Sequence, residues 1–225
     1  MIICLETATN LCSVALCNDA GVIYLRESND FKSHASMLTV FIDEILKEAG
    51  MKAGQLDAVA VSKGPGSYTG LRIGVSVAKG IAYAASIPLI GIDTTLSTFH
   101  GEAKKSPLYC PMLDARRMEV YYAIYNSQGQ TVKQITAKII TEDSFSEIPE
   151  SVELLLFGDG AAKCRDVIKR PNIQYDDNFR ISASHMYIPA IQALKDHHFE
   201  DVAYFEPFYL KDFITSTPRK NILGK

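Results

Sequence analysis

Apolar residues occur in this chain as short runs broken by turn residues, and the spacing within each run sorts it as strand or helix. Residues 2–6, 12–18 and 22–28 have strand length and composition, with Asn18-Asp19-Ala20-Gly21 as a tight turn between the last two. From 36 to 49, Leu38, Phe41, Ile42, Ile45, Leu46 and Ala49 recur at helical spacing, Met37 and Val40 widen the face, and Gly50 stops the helix. Residues 56–62 predict a buried strand, 71–86 a helix, 88–92 another buried strand, and 94–100 a short helix capped by Asp93 or Thr94. The polar stretch Gly101-Glu102-Ala103-Lys104-Lys105-Ser106-Pro107 carries breakers at both ends and marks a boundary.

Beyond it the pattern begins again. Strands are predicted at 108–113, 119–125, 132–140 and 154–157, a helix at 161–169, a strand at Ile181 and a helix over 185–197. The second half thus repeats the order of the first without obvious sequence identity. The expected organisation is a duplicated α/β fold of two lobes with mixed sheets. One lobe is residues 1–102, ordered β-β-β-α-β-α-β; the other, 103–225, is reduced, with its last helix and tail expected to pack back on the first.

The helix at 71–86 is apolar nearly all round, which is the mark of a helix buried on more than one side. Gly70, Gly74, Ala78 and Ala82 recur every fourth residue as a ridge of small side chains, on which another helix could approach closely. With Met37, Val40 and Phe41 of the preceding helix flanking it, that ridge is the expected partner interface. A central core helix is the blander alternative. Ahead of the helix runs Gly64-Pro65-Gly66-Ser67-Tyr68-Thr69-Gly70, where Ser67 or Thr69 can cap. Amides at such a helix start can hold a phosphate or carboxylate, but the Gly-Lys-Ser/Thr ending of a P-loop is absent. A purely structural turn explains the loop equally well.

Composition narrows the classes. With 225 residues and 47% hydrophobic content, the chain can bury one large core or two smaller ones. It has no run long enough to span a bilayer and no basic start with a cleavage site, so a cytoplasmic protein without membrane contact is expected. Its five cysteines lack a C-x-x-C pair and read as buried free thiols. A net charge of -3 is no footprint for strong nucleic-acid binding by this chain alone.

Two acidic residues end first strands, Glu6 in Leu5-Glu6-Thr7-Ala8-Thr9 and Asp114 in Leu113-Asp114-Ala115. With the repeated order they resemble the actin, hexokinase and Hsp70 ATPase superfamily (ASKHA). The glycine block through Leu71-Arg72-Ile73-Gly74, Lys79-Gly80-Ile81-Ala82, Asp114-Ala115-Arg116-Arg117-Met118-Glu119 and Glu206-Pro207-Phe208-Tyr209-Leu210-Lys211 is similar to the TsaB (YeaZ) family almost end to end. The sequence departs in Glu6, where many relatives have Asp, and in Lys211, where Arg is usual. The resemblance implies a non-catalytic subunit of the machinery that places threonylcarbamoyl on the adenosine beside the tRNA anticodon. Its implied partners are the catalytic paralogue TsaD, as a heterodimer, and the ATPase TsaE, with tRNA reached through the complex. A homodimer in isolation is compatible with it. It implies no cofactor of its own and leaves room for ATP or ADP at the interface of the complex.

Two rival activities stand on chemistry. An independent ATPase or phosphotransferase of the superfamily would need glycine in its phosphate turns, where this chain has Ala8 and Ala115-Arg116. Glu6, Ser67, Thr69, Asp114, Gly158 and Gly160 are the candidate nucleotide or phosphate contacts, although capping and turn roles account for each. A metal-dependent, glycoprotease-like peptidase would need a pair of helix histidines, which TsaD relatives carry after the strand equivalent to 88–92. This chain has only His100 there, and His34, His185 and the adjacent His197 and His198 do not supply the pair. No catalytic residue and no metal site is therefore expected. Arg116, Arg117, Arg219, Lys220 and Lys225 are left as candidate tRNA contacts within a complex.

Overall fold

The computed structural model describes residues 1–29, 34–102 and 106–211, with the backbone alone for His34 and Ala35. The predicted contacts Arg219, Lys220 and Lys225, the tail beyond residue 211 and the side chain of His34 lie outside the described residues.

Two five-stranded sheets carry the fold. The first contains β1 (Ile2–Glu6), β2 (Cys12–Asn18), β3 (Gly21–Ser28), β4 (Ala58–Gly64) and β5 (Leu89–Asp93), in the order β3-β2-β1-β4-β5. The second contains β6 (Leu108–Asp114), β7 (Glu119–Asn126), β8 (Thr131–Ile139), β9 (Leu154–Phe157) and β10 (Ile173–Asp176), in the order β10-β9-β6-β7-β8. Read from the opposite edge, the second order repeats the first. In each sheet the first three strands are antiparallel, and the last two add in parallel beside the first. This is the duplicated, mixed-sheet α/β arrangement of the ASKHA type, and the strands of the second sheet, β6 to β10, are joined without an α-helix.

Strand alternation explains how the first sheet is covered. Ile3, Leu5, Val14, Leu16, Val59 and Val61 face α1 (His34–Glu48) and α2 (Tyr68–Ala85). Ile2, Cys4, Ala15, Ala58 and Ala60 face the other way, onto Ala183 and Met186 of a 3-10 turn (Ala183–Met186) and Ala190 of the helix α4 (Tyr187–Lys195) that follows it. The short α3 (Thr94–Gly101) turns instead to the second sheet, where Phe99 packs with Tyr109, Tyr125 and Phe157. On that sheet's far side Phe145, Ile148, Cys164 and Ile168 come from loops and turns, in place of helices.

Two predicted elements fail there. The expected helix at 161–169 is a 3-10 turn, Ala162–Cys164, followed by further turns that still deliver Ala161, Cys164 and Ile168 to the core. Nine residues are too few to hold an α-helix on propensity alone. The strand expected at Ile181 lies earlier, at Ile173–Asp176; a four-residue edge strand leaves almost no alternation to read. The free cysteines are all buried, and Cys4 Sγ lies 4.0 Å from Cys17 Sγ.

After α4 the chain forms a strap. Glu200 N donates to Leu89 O (2.8 Å), which covers the edge strand β5. Lys79 Nζ donates to the carbonyls of Ala203 (3.2 Å) and Phe205 (2.9 Å), Phe205 is buried in the first core, and Phe208 N donates to Lys63 O (2.7 Å). Arg72 Nε donates to Tyr209 Oη (3.0 Å) with its guanidinium over Tyr68, and Lys211 pairs with Glu119 of the second sheet.

Candidate functional site

The glycine block meets its own chain before it meets solvent. Ser67 N donates to Ala8 O (2.6 Å), Ser67 Oγ caps α2 by accepting from Gly70 N (3.3 Å), and Thr7 Oγ1 donates to Gly70 O (2.8 Å). A Cβ at Gly66 would run into Ala8, one at Gly70 into the Thr7 carbonyl, and one at Gly74 into the Thr7 hydroxyl. The glycines therefore let α2 sit directly on the turn after β1. Ser67 is a helix cap, Thr69 is exposed on the first turn, and the amides of Ser67 and Gly70 are engaged locally.

Glu6 is wholly buried at the end of β1. It accepts from Ala8 N (2.6 Å) and from the Ser62 hydroxyl, so it ties β1, β4 and the following turn together. Burial pushes its carboxyl up to about 7, against those two hydrogen bonds. Its counterpart Asp114 is exposed and paired with Lys163. Asp114 N donates to Asp159 Oδ1 (3.1 Å), and a Cβ at Gly158 or Gly160 would strike the backbone of Met112 or Leu113. The Asp159 side chain reaches solvent, but the cleft wall around it and the nearby Asp114 push it up to about 6.

Between the lobes lies a cleft of about 500 Å³ lined by Thr9, Leu11, Glu27, Gly158, Asp159, Asp176, Asp177 and Arg180 among others. Four of these carry carboxylates. Arg180 Nη1 is spent on the carbonyls of Asp177 (2.9 Å) and Phe179 (2.8 Å). A lining with four carboxylates does not fit a triphosphate. Glu6, Asp114, Gly158 and Gly160 thus gather near the cleft, yet they act as supports of its turns; Ser67 caps α2 against the turn that follows Glu6, and Thr69 is exposed. Among the described residues no three His, Cys, Asp or Glu side chains gather as a metal site, and α3 presents the single His100.

The small ridge of α2 points inward, which corrects the expected partner interface. Ala78 and Ala82 are 0% and 2% exposed in the first core, Gly70 and Gly74 lie against Thr7, and Phe41 of α1 is buried in the same core. The sheet, through Thr7 and Val61, is the close neighbour that the small residues admit. What α2 shows to solvent is a second row of mostly small residues, Arg72, Ser76, Gly80 and Ala84, beside the exposed ring of Tyr83 and half-buried Ile73, Val77 and Ile81. Nothing lies within 4 Å of a Cβ built at Gly80. Met37 is half-buried and Val40 is 43% exposed on the neighbouring helix. The sequence marks Arg72, Ser76, Lys79 and Tyr83 as a narrow polar stripe of this helix. It does not show the open row through Gly80, nor that the ammonium groups of Lys79 and Lys163 fasten turns distant in sequence.

A two-lobed protein of the ASKHA type, with its inter-lobe turns closed by its own side chains and backbone, is the class defined by this geometry. A family model described as "TsaD: tRNA N6-adenosine threonylcarbamoyltransferase" matches residues 29–215. The chain belongs to the TsaB (YeaZ) family within that group. It is 28% identical over 221 residues to the Escherichia coli tRNA threonylcarbamoyladenosine biosynthesis protein TsaB, covering 94% of each chain. It is 30% identical over 182 residues to the TsaB of Buchnera aphidicola subsp. Schizaphis graminum, covering 76% of this chain and 82% of that one. A Pseudomonas aeruginosa structure titled YeaZ superposes with a TM-score of 0.76 at 23% identity, over 92% of this chain and 99% of that one. No helix among the described residues is long and apolar enough to cross a membrane.

Proposed function

We propose that this chain is the non-catalytic partner of a TsaD-type paralogue in forming threonylcarbamoyladenosine on tRNA, acting as a heterodimer that TsaE joins. The observation that carries this reading is the outer face of α1 and α2: an exposed small-residue row through Gly80, flanked by Ile73, Val77, Ile81, Met37 and Val40. Such a face admits the matching helices of a structurally similar protein at close range. The close packing of the glycine block on the Thr7-Ala8 turn, the carboxylates of the cleft and the lone histidine of α3 support a role other than phosphoryl transfer or metal-dependent proteolysis. Any ATP or ADP would then sit at the shared interface. A second copy of this chain can use the same face, so homodimer and heterodimer would compete.

The test is co-elution of the full chain with the purified paralogue in size-exclusion chromatography, compared between wild type and Gly80→Arg. The arginine should leave the melting temperature of this chain within a few degrees of wild type and abolish co-elution. Full co-elution by Gly80→Arg would place the interface elsewhere. ATP or peptide hydrolysis by this chain alone, lost on changing Asp114, would overturn the non-catalytic assignment.

A further inference from the structure

The turn between β6 and β7 holds an arrangement that the function above does not use. Arg116 and Arg117 both have left-handed backbones, with φ of 67° and 49°, which side chains other than glycine seldom adopt even singly. The turn is held from three sides. Asp114 Oδ1 accepts from Arg116 N (2.9 Å), Ala115 N donates to Glu119 O (3.1 Å), and Glu119 N donates to Arg116 O (3.2 Å). Lys163 Nζ donates to the carbonyls of Arg117 (2.8 Å) and Glu119 (2.6 Å) while pairing with Asp114.

The two guanidinium groups take no part in holding the turn. The other described arginines are each engaged through the guanidinium, by a side chain or by backbone carbonyls. Arg26 pairs with Glu44 and Glu48, Arg72 with Tyr209, and Arg165 with Asp177, while Arg170 and Arg180 bond carbonyls. Arg116 and Arg117 are exposed and have no side-chain partner among the described residues. The neighbouring acids do not neutralise them, because Asp114 pairs with Lys163 and Glu119 with Lys211. The turn therefore presents two adjacent, uncompensated guanidinium forks. Neither lines the inter-lobe cleft, so a nucleotide bound there is not what they face.

We infer that this turn is a contact for the sugar-phosphate backbone of RNA, with Arg116 and Arg117 each engaging a phosphate of the tRNA brought to the complex; the inference rests on the tRNA function proposed above. Guanidinium forks match phosphate oxygens bidentately, and adjacent forks can address adjacent phosphates of one strand. Such contacts position the RNA without reading its sequence. On a chain of net charge -3 they supply only part of the binding.

The experiment measures fluorescence anisotropy of a labelled anticodon stem-loop RNA against salt, from about 50 to 200 mM, with the complex and with this chain alone. Arg116→Ala/Arg117→Ala should weaken binding about tenfold in the complex and flatten the slope of log K against log salt by about 1 to 2. Arg116→Lys/Arg117→Lys should keep the slope. Arg116→Gly/Arg117→Gly suits the left-handed backbone, and should match the alanine pair even if that pair folds poorly. Unchanged affinity and slope in both settings would overturn the inference. So would loss of paralogue co-elution with RNA binding intact, which marks a protein contact, or loss of ATP binding alone, which marks a nucleotide site. If the wild-type chain fails to co-elute with the paralogue, the functional reading fails, and the measurement on the chain alone still decides the role of the turn.

Discussion

Glu6 shows what a single buried acid does to this protein. Its carboxyl is raised from 4.5 to about 7, chiefly by burial. Between those values the folded chain holds a proton that the unfolded chain releases, so stability falls as pH rises through the window and is level above it. The fall amounts to roughly 3 kcal/mol at most. Glu6→Gln keeps an acceptor for Ala8 N and cannot ionise. Urea midpoints from pH 5 to 8 should therefore decline for the wild type and decline less for the variant. Equal pH dependence in the two would show that Glu6 is not the titrating group.

The single element with the most consequence is α2. Two of its glycines meet different surroundings, one packed and one open, and should respond oppositely to the same change. Gly70→Ala drives a methyl into the Thr7 carbonyl and should cost about 1–3 kcal/mol or more. Gly80→Ala faces open space and should gain about 1 kcal/mol from helix propensity. Ala78→Arg, at a fully buried position, should prevent cooperative folding, whereas Gly80→Arg should not. Thermal melts of the four variants check this, and a folded Ala78→Arg protein would mean that the ridge is not core.

For the molecule as a whole the strap is the long-range fastening. It covers β5, is gripped by Lys79 and ends in an ion pair on the other sheet. Removing the buried Phe205 ring should cost about 3 kcal/mol and loosen residues 200–211 together. Limited trypsin digestion should cut Phe205→Ala in this segment well before wild type, most simply at Lys211. Lys79→Met, which removes the two carbonyl contacts and keeps the aliphatic stem, should show a smaller effect in the same direction. Equal digestion rates for Phe205→Ala and wild type would mean that the strap is held by other contacts.

At every scale the chain divides between what its own pattern determines and what folding adds. Short apolar runs place every strand of the two sheets but β10 within about two residues, because alternation and turn residues are local properties. The repeated order of strands establishes the duplication for the same reason. The sequence also shows that α2 has a small-residue ridge and that Glu6 and Asp114 end corresponding strands. Which way the ridge faces is different. A helix apolar nearly all round has two candidate faces, and only the position of Thr7 beneath Gly70 and Gly74 selects the inward one. The site residues follow the same rule. Glu6 and Asp114 occupy equivalent strand ends, yet one is sealed beneath Ser62 while the other is exposed beside Lys163. Those contacts join residues 56 and 49 positions apart, and no local pattern encodes them. The second lobe's lost helix and its four-residue strand were illegible because a short segment takes its conformation from what it packs against. Tertiary structure alone decided which polar groups are occupied within the fold and which are left for a partner.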